Sequence, residues 1–227
     1  MRHSSSLLMP TSARPWKARW WRRCATRPRP ARRRIASTSS PRCRGVRSKL
    51  AGAMGQVRIG SGMDEGVTCG PMINEKAVAD MDALVQAAIA DGAAPLVGGA
   101  RGAGPGYFYQ PTVLAGVSHS SPIASQEIFG PIAPVISFTD TDAMIEQAND
   151  TEMGLMGYVY TRDLARGLAV SERIEAGMIG LNRGAVSDPA APFGGMKQSG
   201  LGRGRQRRHL RVPRDAIHRY QLVVVGR

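Results

Sequence analysis

Apolar positions along this chain recur first with a helical period and then with that of strands. Within residues 74–92, Ala77, Met81, Leu84, Val85, Ala88 and Ile89 share one helical face. Asn74 supplies an oxygen for the first-turn amides, and Gly92 ends the run. Residues 95–97 then read as a short strand closed by Gly98-Gly99, and 101–106 as a glycine-rich loop leading into an extended stretch, 107–114. The run 132–138, apolar but for Ser137, predicts a buried strand. A helix follows at 141–148, capped by Asp140 and stopped near Asn149. Next come a strand at 156–160, a helix at 164–174 and a strand at 178–182. This alternation predicts an α/β fold with a mainly parallel sheet, flanking helices and right-handed crossovers. Sites in such sheets gather in loops beyond the carboxyl ends of strands, which draws notice to residues 187–203.

Charge divides the chain into three. Residues 1–49 hold fifteen Lys/Arg and no acid, and 203–227 hold eight Arg and one acid, Asp215. The interval 50–202 has 8 basic against 16 acidic residues, a net of −8, although the whole chain carries +14. The expected organisation is a basic irregular tail over 1–48, a domain over 49–203 and a second basic irregular tail over 204–227. Neither tail has a periodicity that would bury enough surface to order it. Arg32-Arg33-Arg34 and the arginines of 205–211 would attract phosphate. Aromatic interleaving is limited to Trp16, Trp20 and Trp21, and no recognition fold is visible, so no specific nucleic-acid partner is expected.

Cys24, Cys43 and Cys69 have neither metal-ligand spacing nor an even count, which fits a reducing cytoplasm. No apolar run approaches the roughly 18 residues that would span a bilayer. Pro10, Pro15, Pro28 and Pro30 break the amphipathic helix that a transit peptide needs.

Two short motifs carry the chemistry. Gln126-Glu127-Ile128-Phe129-Gly130-Pro131 sets a carboxylate and a ring two residues apart. Pro192-Phe193-Gly194-Gly195-Met196-Lys197-Gln198-Ser199-Gly200-Leu201-Gly202-Arg203 is a glycine-rich turn that admits close backbone approach. In this order, the pair resembles the signature segments in the catalytic half of aldehyde dehydrogenases, and is most similar to the succinate-semialdehyde type. Further landmarks of the resemblance are Gly70-Pro71-Met72, Gln110-Pro111-Thr112-Val113 and the run from Ala148-Asn149-Asp150 to Met153-Gly154-Leu155.

The resemblance implies a partial aldehyde dehydrogenase catalytic domain, an NAD or NADP cofactor and a small aldehyde substrate. It also implies homo-oligomers for intact members of the family. In that family a cysteine thiolate attacks the aldehyde, hydride passes to NAD(P)+, and glutamate-activated water releases the acid. Glu127 resembles the residue holding the nicotinamide ribose hydroxyls, since a carboxylate accepts both hydrogen bonds. Phe129 resembles the ring packing beside the nicotinamide. By residue type alone they are a solvated loop acid and a core ring. Ser187 stands where succinate-semialdehyde enzymes bind the distal carboxylate, and is equally a turn former. Arg183 is an alternative charge for that carboxylate, Asn182 orients the loop after its strand, and Lys197 reads as a cation lining its motif.

Cys69 reads as structural, in a surface turn with no base or helix N-terminus to activate it. Met153, Met156 and Met178 read as core packing. No catalytic residue is expected in the chain: the family's nucleophilic cysteine, its general-base glutamate and its cofactor domain find no counterpart. Codons around residues 30–39 can be chosen so that a displaced frame spells Ala-Cys-Thr-Ala-Ala-Asn-Arg-Ile-Tyr-Val, similar to the family's nucleophile segment. Residues 203–218 can likewise yield a segment similar to its C-terminus. Both tails are therefore expected to be frame-displaced dehydrogenase sequence, and the chain alone inactive.

Overall fold

The computed structural model describes residues 35–38, 41–184, 186, 191–200 and 202. Its main sheet has four strands in the order β1-β4-β3-β2. These are β1 (Ile35–Thr38), β2 (Ala94–Val97), β3 (Thr112–Ala115) and β4 (Ile132–Phe138). β4 runs parallel to β1 on one side and to β3 on the other. Two helices cover the sheet, α1 (Pro41–Gly55) and α2 (Glu75–Ala90).

The alternating side chains of β3 and β4 assign the two faces. Val113, Ala133 and Val135 pack with Leu50 and Met54 of α1. Leu114, Ile132 and Ile136 pack with Val78, Met81, Val85 and Ala88 of α2. Burial on both faces is the reason residues 132–136 are apolar without alternation. A short helix, α3 (Pro122–Ser125), packs on α2 and contributes Ile123 and Ala124 to the same cluster.

The second layer holds α4 (Thr141–Asn149), β5 (Met153–Gly154), β6 (Met156–Val159), α5 (Leu164–Arg173), β7 (Met178–Leu181) and β8 (Met196–Lys197). β6 and β7 pair in parallel across α5, the expected crossover. Phe138 at the end of β4 joins Met144, Ile145, Val159, Val170, Ile174 and Ile179 in one cluster and so ties the layers together. Side-chain caps start three of the helices: Asn74, Asp140 and Asp163 accept from the amides of Ala77, Ala143 and Arg166.

The main sheet is mainly parallel as expected, with β2 as an antiparallel edge beside β3. A glycine-rich loop joins β2 and β3 with no crossover helix, and a reversal of that kind returns the chain beside itself. Two expectations are corrected. Residues 35–38 and 41–48 lie within the stretch expected to be an irregular tail, yet they form β1 and the start of α1. A strand ladder is made of backbone groups, so the edge of β4 pairs with Ile35–Thr38 without needing a side-chain pattern. Second, Cys69 is buried at 4% exposure, bridged by backbone to Ile59, and does not lie in a surface turn. The remainder of the tail over 1–34 and the tail over 204–227 lie outside the described residues.

Tyr109 carries a displaced titration in the core. It is 2% exposed, and its hydroxyl donates to Asp82 at 3.1 Å. Burial, and then the adjoining carboxylate, push its phenol well above the ordinary value near 10. Above that pH the unfolded chain releases a proton that the folded chain keeps, so stability falls as pH rises past about 10. Urea midpoints measured from pH 8 to 11 should therefore decline more steeply for the native chain than for Tyr109→Phe. Equal slopes would contradict the assignment.

Candidate functional site

The first motif is built by a change from helix to extended chain. α3 begins at Pro122 behind Ser121, whose hydroxyl donates to Asp91, and its C-cap is Gln126. From Gln126, whose backbone is extended, the chain runs on to β4 at Ile132. Ile128 packs, partly buried, against the α2 cluster. On either side of it Glu127 is half-buried and Phe129 is 51% exposed. Gly130 follows where a Cβ would stand 3.2 Å from Met81 Cγ and 3.5 Å from Met72 Cε, so the chain lies directly on α2. Pro131 then accepts from the Thr112 amide at 2.8 Å, which starts the β3–β4 ladder. Ile128, Gly130 and Pro131 hold the segment, while Glu127 stays partly and Phe129 largely accessible.

The second motif hooks onto a different layer. Met196 and Lys197 (β8) pair with Met153 and Gly154 (β5). Gln198 N donates to Glu152 O, and Ser199 Oγ accepts from Gly154 N at 2.9 Å. Gly194 and Gly195 pass directly over Gly177, where an added Cβ would fall 2.7 Å from Gly195 Cα and closer still to the Gly194 oxygen. Only glycine permits that approach. Phe193 is left 41% exposed beside it.

Asn182 adopts a left-handed φ of 52°. Its amide accepts from Thr161 N and donates to Thr161 O, joining the loops beyond the ends of β6 and β7. Tyr160 adds a hydroxyl bond to Arg183 O, and the Arg183 side chain is exposed. Ser187 lies outside the described residues. Lys197 is committed to a polar junction with Asn149, Thr151 and Glu175. Sequence reading quoted the run containing Asn149 but did not assign it the junction, because its partners lie 24 and more residues away. Among the described residues, no cluster of three or more His, Cys, Asp or Glu is placed to hold a metal ion. Nor is any helix long and apolar enough to cross a membrane.

A dehydrogenase-type α/β layer carrying these two loop motifs defines the class, and comparison with known proteins names the family. The model for the aldehyde dehydrogenase family matches residues 34–212, and the chain belongs to that family. A succinate-semialdehyde dehydrogenase of Paenarthrobacter nicotinovorans is 54% identical over 155 residues, covering 68% of this chain and 34% of that protein. A 3-sulfolactaldehyde dehydrogenase of Pseudomonas putida is 48% identical over the same length, covering 68% and 32%. Among solved structures, succinate-semialdehyde dehydrogenase from Burkholderia pseudomallei superposes with a TM-score of 0.72 at 42% identity, covering 76% of this chain and 36% of that one. The chain thus spans about a third of the length of these relatives, and its fold is a partial α/β aldehyde dehydrogenase domain. The match runs from residue 34, next to β1, to residue 212, so it reaches beyond the 49–203 boundaries expected from sequence.

Proposed function

We propose that this chain is the part of an NAD(P)+-dependent aldehyde dehydrogenase that contacts the nicotinamide end of the cofactor. The aldehyde is of the succinate-semialdehyde class, meaning a short chain with a distal anion. The observation that carries the reading is the presentation of Glu127 and Phe129 by a segment otherwise anchored to the core. Glu127 has no hydrogen bond or ion pair within the described residues, so both its oxygens remain acceptors. A half-exposed ring costs hydrophobic free energy unless something apolar covers it. A ribose diol and a planar heterocycle fit that pair, with Glu127 accepting from the hydroxyls and Phe129 lying against the ring. The bound cofactor would supply the hydride acceptor.

The names of the relatives favour the substrate class, since those above act on semialdehydes or on a sulfonated aldehyde. Ser187 is the residue we assign to the distal anion, and the family's nucleophile and general base are assigned to no residue here. In whole enzymes the catalytic residues, the cofactor domain and oligomer contacts complete the site.

It follows that the purified chain should form no NADH or NADPH from succinate semialdehyde, because without a positioned thiolate no thiohemiacetal forms. Absorbance at 340 nm during prolonged incubation checks this. Turnover abolished by Cys69→Ala would overturn it. The cofactor assignment itself is tested by saturation-transfer NMR with nicotinamide mononucleotide. Transfer to the nicotinamide protons should appear with the native chain and fall severalfold in Phe129→Ala, and no transfer to either would contradict the assignment.

A further inference from the structure

Three segments far apart in sequence meet beside the glycine-rich turn: the end of α4, the turn between α5 and β7, and β8. Lys197 is their common point. Its ammonium donates to Asn149 O at 2.7 Å and Thr151 O at 3.0 Å, and pairs with Glu175 at 2.6 Å. Three donors are thus spent on three acceptors from two of those segments, while the lysine itself belongs to the third. Asn149 closes the figure from the other side, donating to Arg173 O at 2.9 Å and accepting from Glu175 N at 2.9 Å.

Lys197 also has a left-handed φ of 52°. A residue with a Cβ pays strain there, and such a conformation persists only where surrounding contacts over-determine it. An exposed lysine–glutamate pair would not suffice, since surface ion pairs contribute little. The carbonyls at the C-terminal end of α4 are another matter. They have no partner within their own helix and carry the negative end of its dipole, so a cation there is favoured twice.

We propose that Lys197 is a positioning residue. Its ammonium latches the glycine-rich turn to the end of α4 and thereby fixes where Phe193 and the Gly194-Gly195 backbone lie. The latch acts on loop geometry and touches neither cofactor nor aldehyde. It is independent of the oxidoreductase reading: it holds or fails whether or not the chain binds a nicotinamide.

Two amides report on the latch, Gly154 N bonded to Ser199 Oγ and Gln198 N bonded to Glu152 O. Hydrogen exchange of these amides would be followed in the full chain, with amides of β3 and β4 as the internal standard. In Lys197→Met, exchange at Gly154 and Gln198 should accelerate at least about tenfold while the standard stays within about twofold. Lys197→Arg, which keeps charge and donors, should recover most of the protection. Labelling with 4-fluorophenylalanine gives a second readout, because the chain has four phenylalanines: Phe108, Phe129, Phe138 and Phe193. Only the Phe193 resonance should move in Lys197→Met. Glu175→Gln, a surface change that leaves both carbonyl bonds in place, should keep both amides within about twofold of their native rates. Unchanged exchange in Lys197→Met would overturn the proposal, and so would an acceleration of about tenfold in Glu175→Gln, since the ion pair and not the carbonyls would then hold the turn. So would a loosening of the two amides and the β3–β4 standard by the same factor, since Lys197 would then support the whole fold and not the turn. If Lys197→Met does not fold, Lys197→Gln, which removes the charge and shortens the arm so that it no longer reaches both carbonyls, is read by the same criteria.

Discussion

Gly177→Ala is expected to destabilise the domain by about 3 kcal/mol and to break the β5–β8 pairing. The added methyl would meet the carbonyl oxygen of Gly194 and lie 2.7 Å from Gly195 Cα. Both are backbone atoms, so no side chain can rotate away to make room. Gly177 N donates to Gly154 O at 2.8 Å, which holds the strand end where the glycine-rich turn crosses it. To fit the methyl, the 194–199 segment must lift, and the bonds from Gly154 to Ser199 and from Gln198 to Glu152 would be lost with it. Urea unfolding measures the cost, and the exchange rates of Gly154 and Gln198 locate it. Gly104→Ala is the control for glycine replacement at a left-handed position with open space around it, with φ at 87° and no atom within 4 Å of the new Cβ. That variant should lose only the cost of backbone strain, about 1 kcal/mol. If Gly177→Ala lost no more than Gly104→Ala, the close passage of the two strands would be wrong.

Leu114→Ala should cost about 3–4 kcal/mol, the range for a fully buried leucine whose cavity cannot collapse. Leu114 is 0% exposed and sits on the α2 face of β3, with β4 paired beside it. Val113 next to it is equally buried on the opposite face, under α1. Covered on both faces, β3 has no direction in which to relax. With a urea slope of roughly 2 kcal/mol/M for a domain of this size, the midpoint should fall by more than about 1 M. Leu96→Ala is the natural comparison, since Leu96 is 44% exposed on β2 and its loss should stay within about 0.5 kcal/mol. Similar losses for both would mean that the sheet is not enclosed as described.

Much of this architecture could be read from the chain. The helix Glu75–Ala90 announces itself through its apolar stripe and its Asn74 cap, and Asp140 and Asp163 mark the starts of α4 and α5 in the same way. These signals are local: a cap bonds an amide three residues on, and a stripe repeats every turn. The parallel pairing of β6 and β7 follows from the helix between them. The two motifs were likewise legible, because a carboxylate, a ring and a glycine cluster keep their order in any conformation.

Elements without a local signature were not legible. β1 carries no alternating pattern, and its existence depends on an open edge of β4 nearly a hundred residues later. The antiparallel β2 follows from the returning path of a glycine-rich loop. The two-residue strands β5 and β8 pair between positions more than 40 residues apart, with Ser199 and Lys197 bonding across the same gap. The same limit governed the side chains. Sequence reading favoured Phe129 as the ring beside a nicotinamide over a core ring, and only the packed chain shows that it stays 51% exposed while Ile128 packs against the α2 cluster. Lys197 looked like a lone cation, and its partners at 149, 151 and 175 become visible only once three chain segments meet. What the sequence determined by itself, then, was each element with a period or a cap, together with the family motifs. The tertiary structure alone decided strand edges, buried faces and the partners of single polar groups, because each depends on backbone or side chains brought together from distant positions.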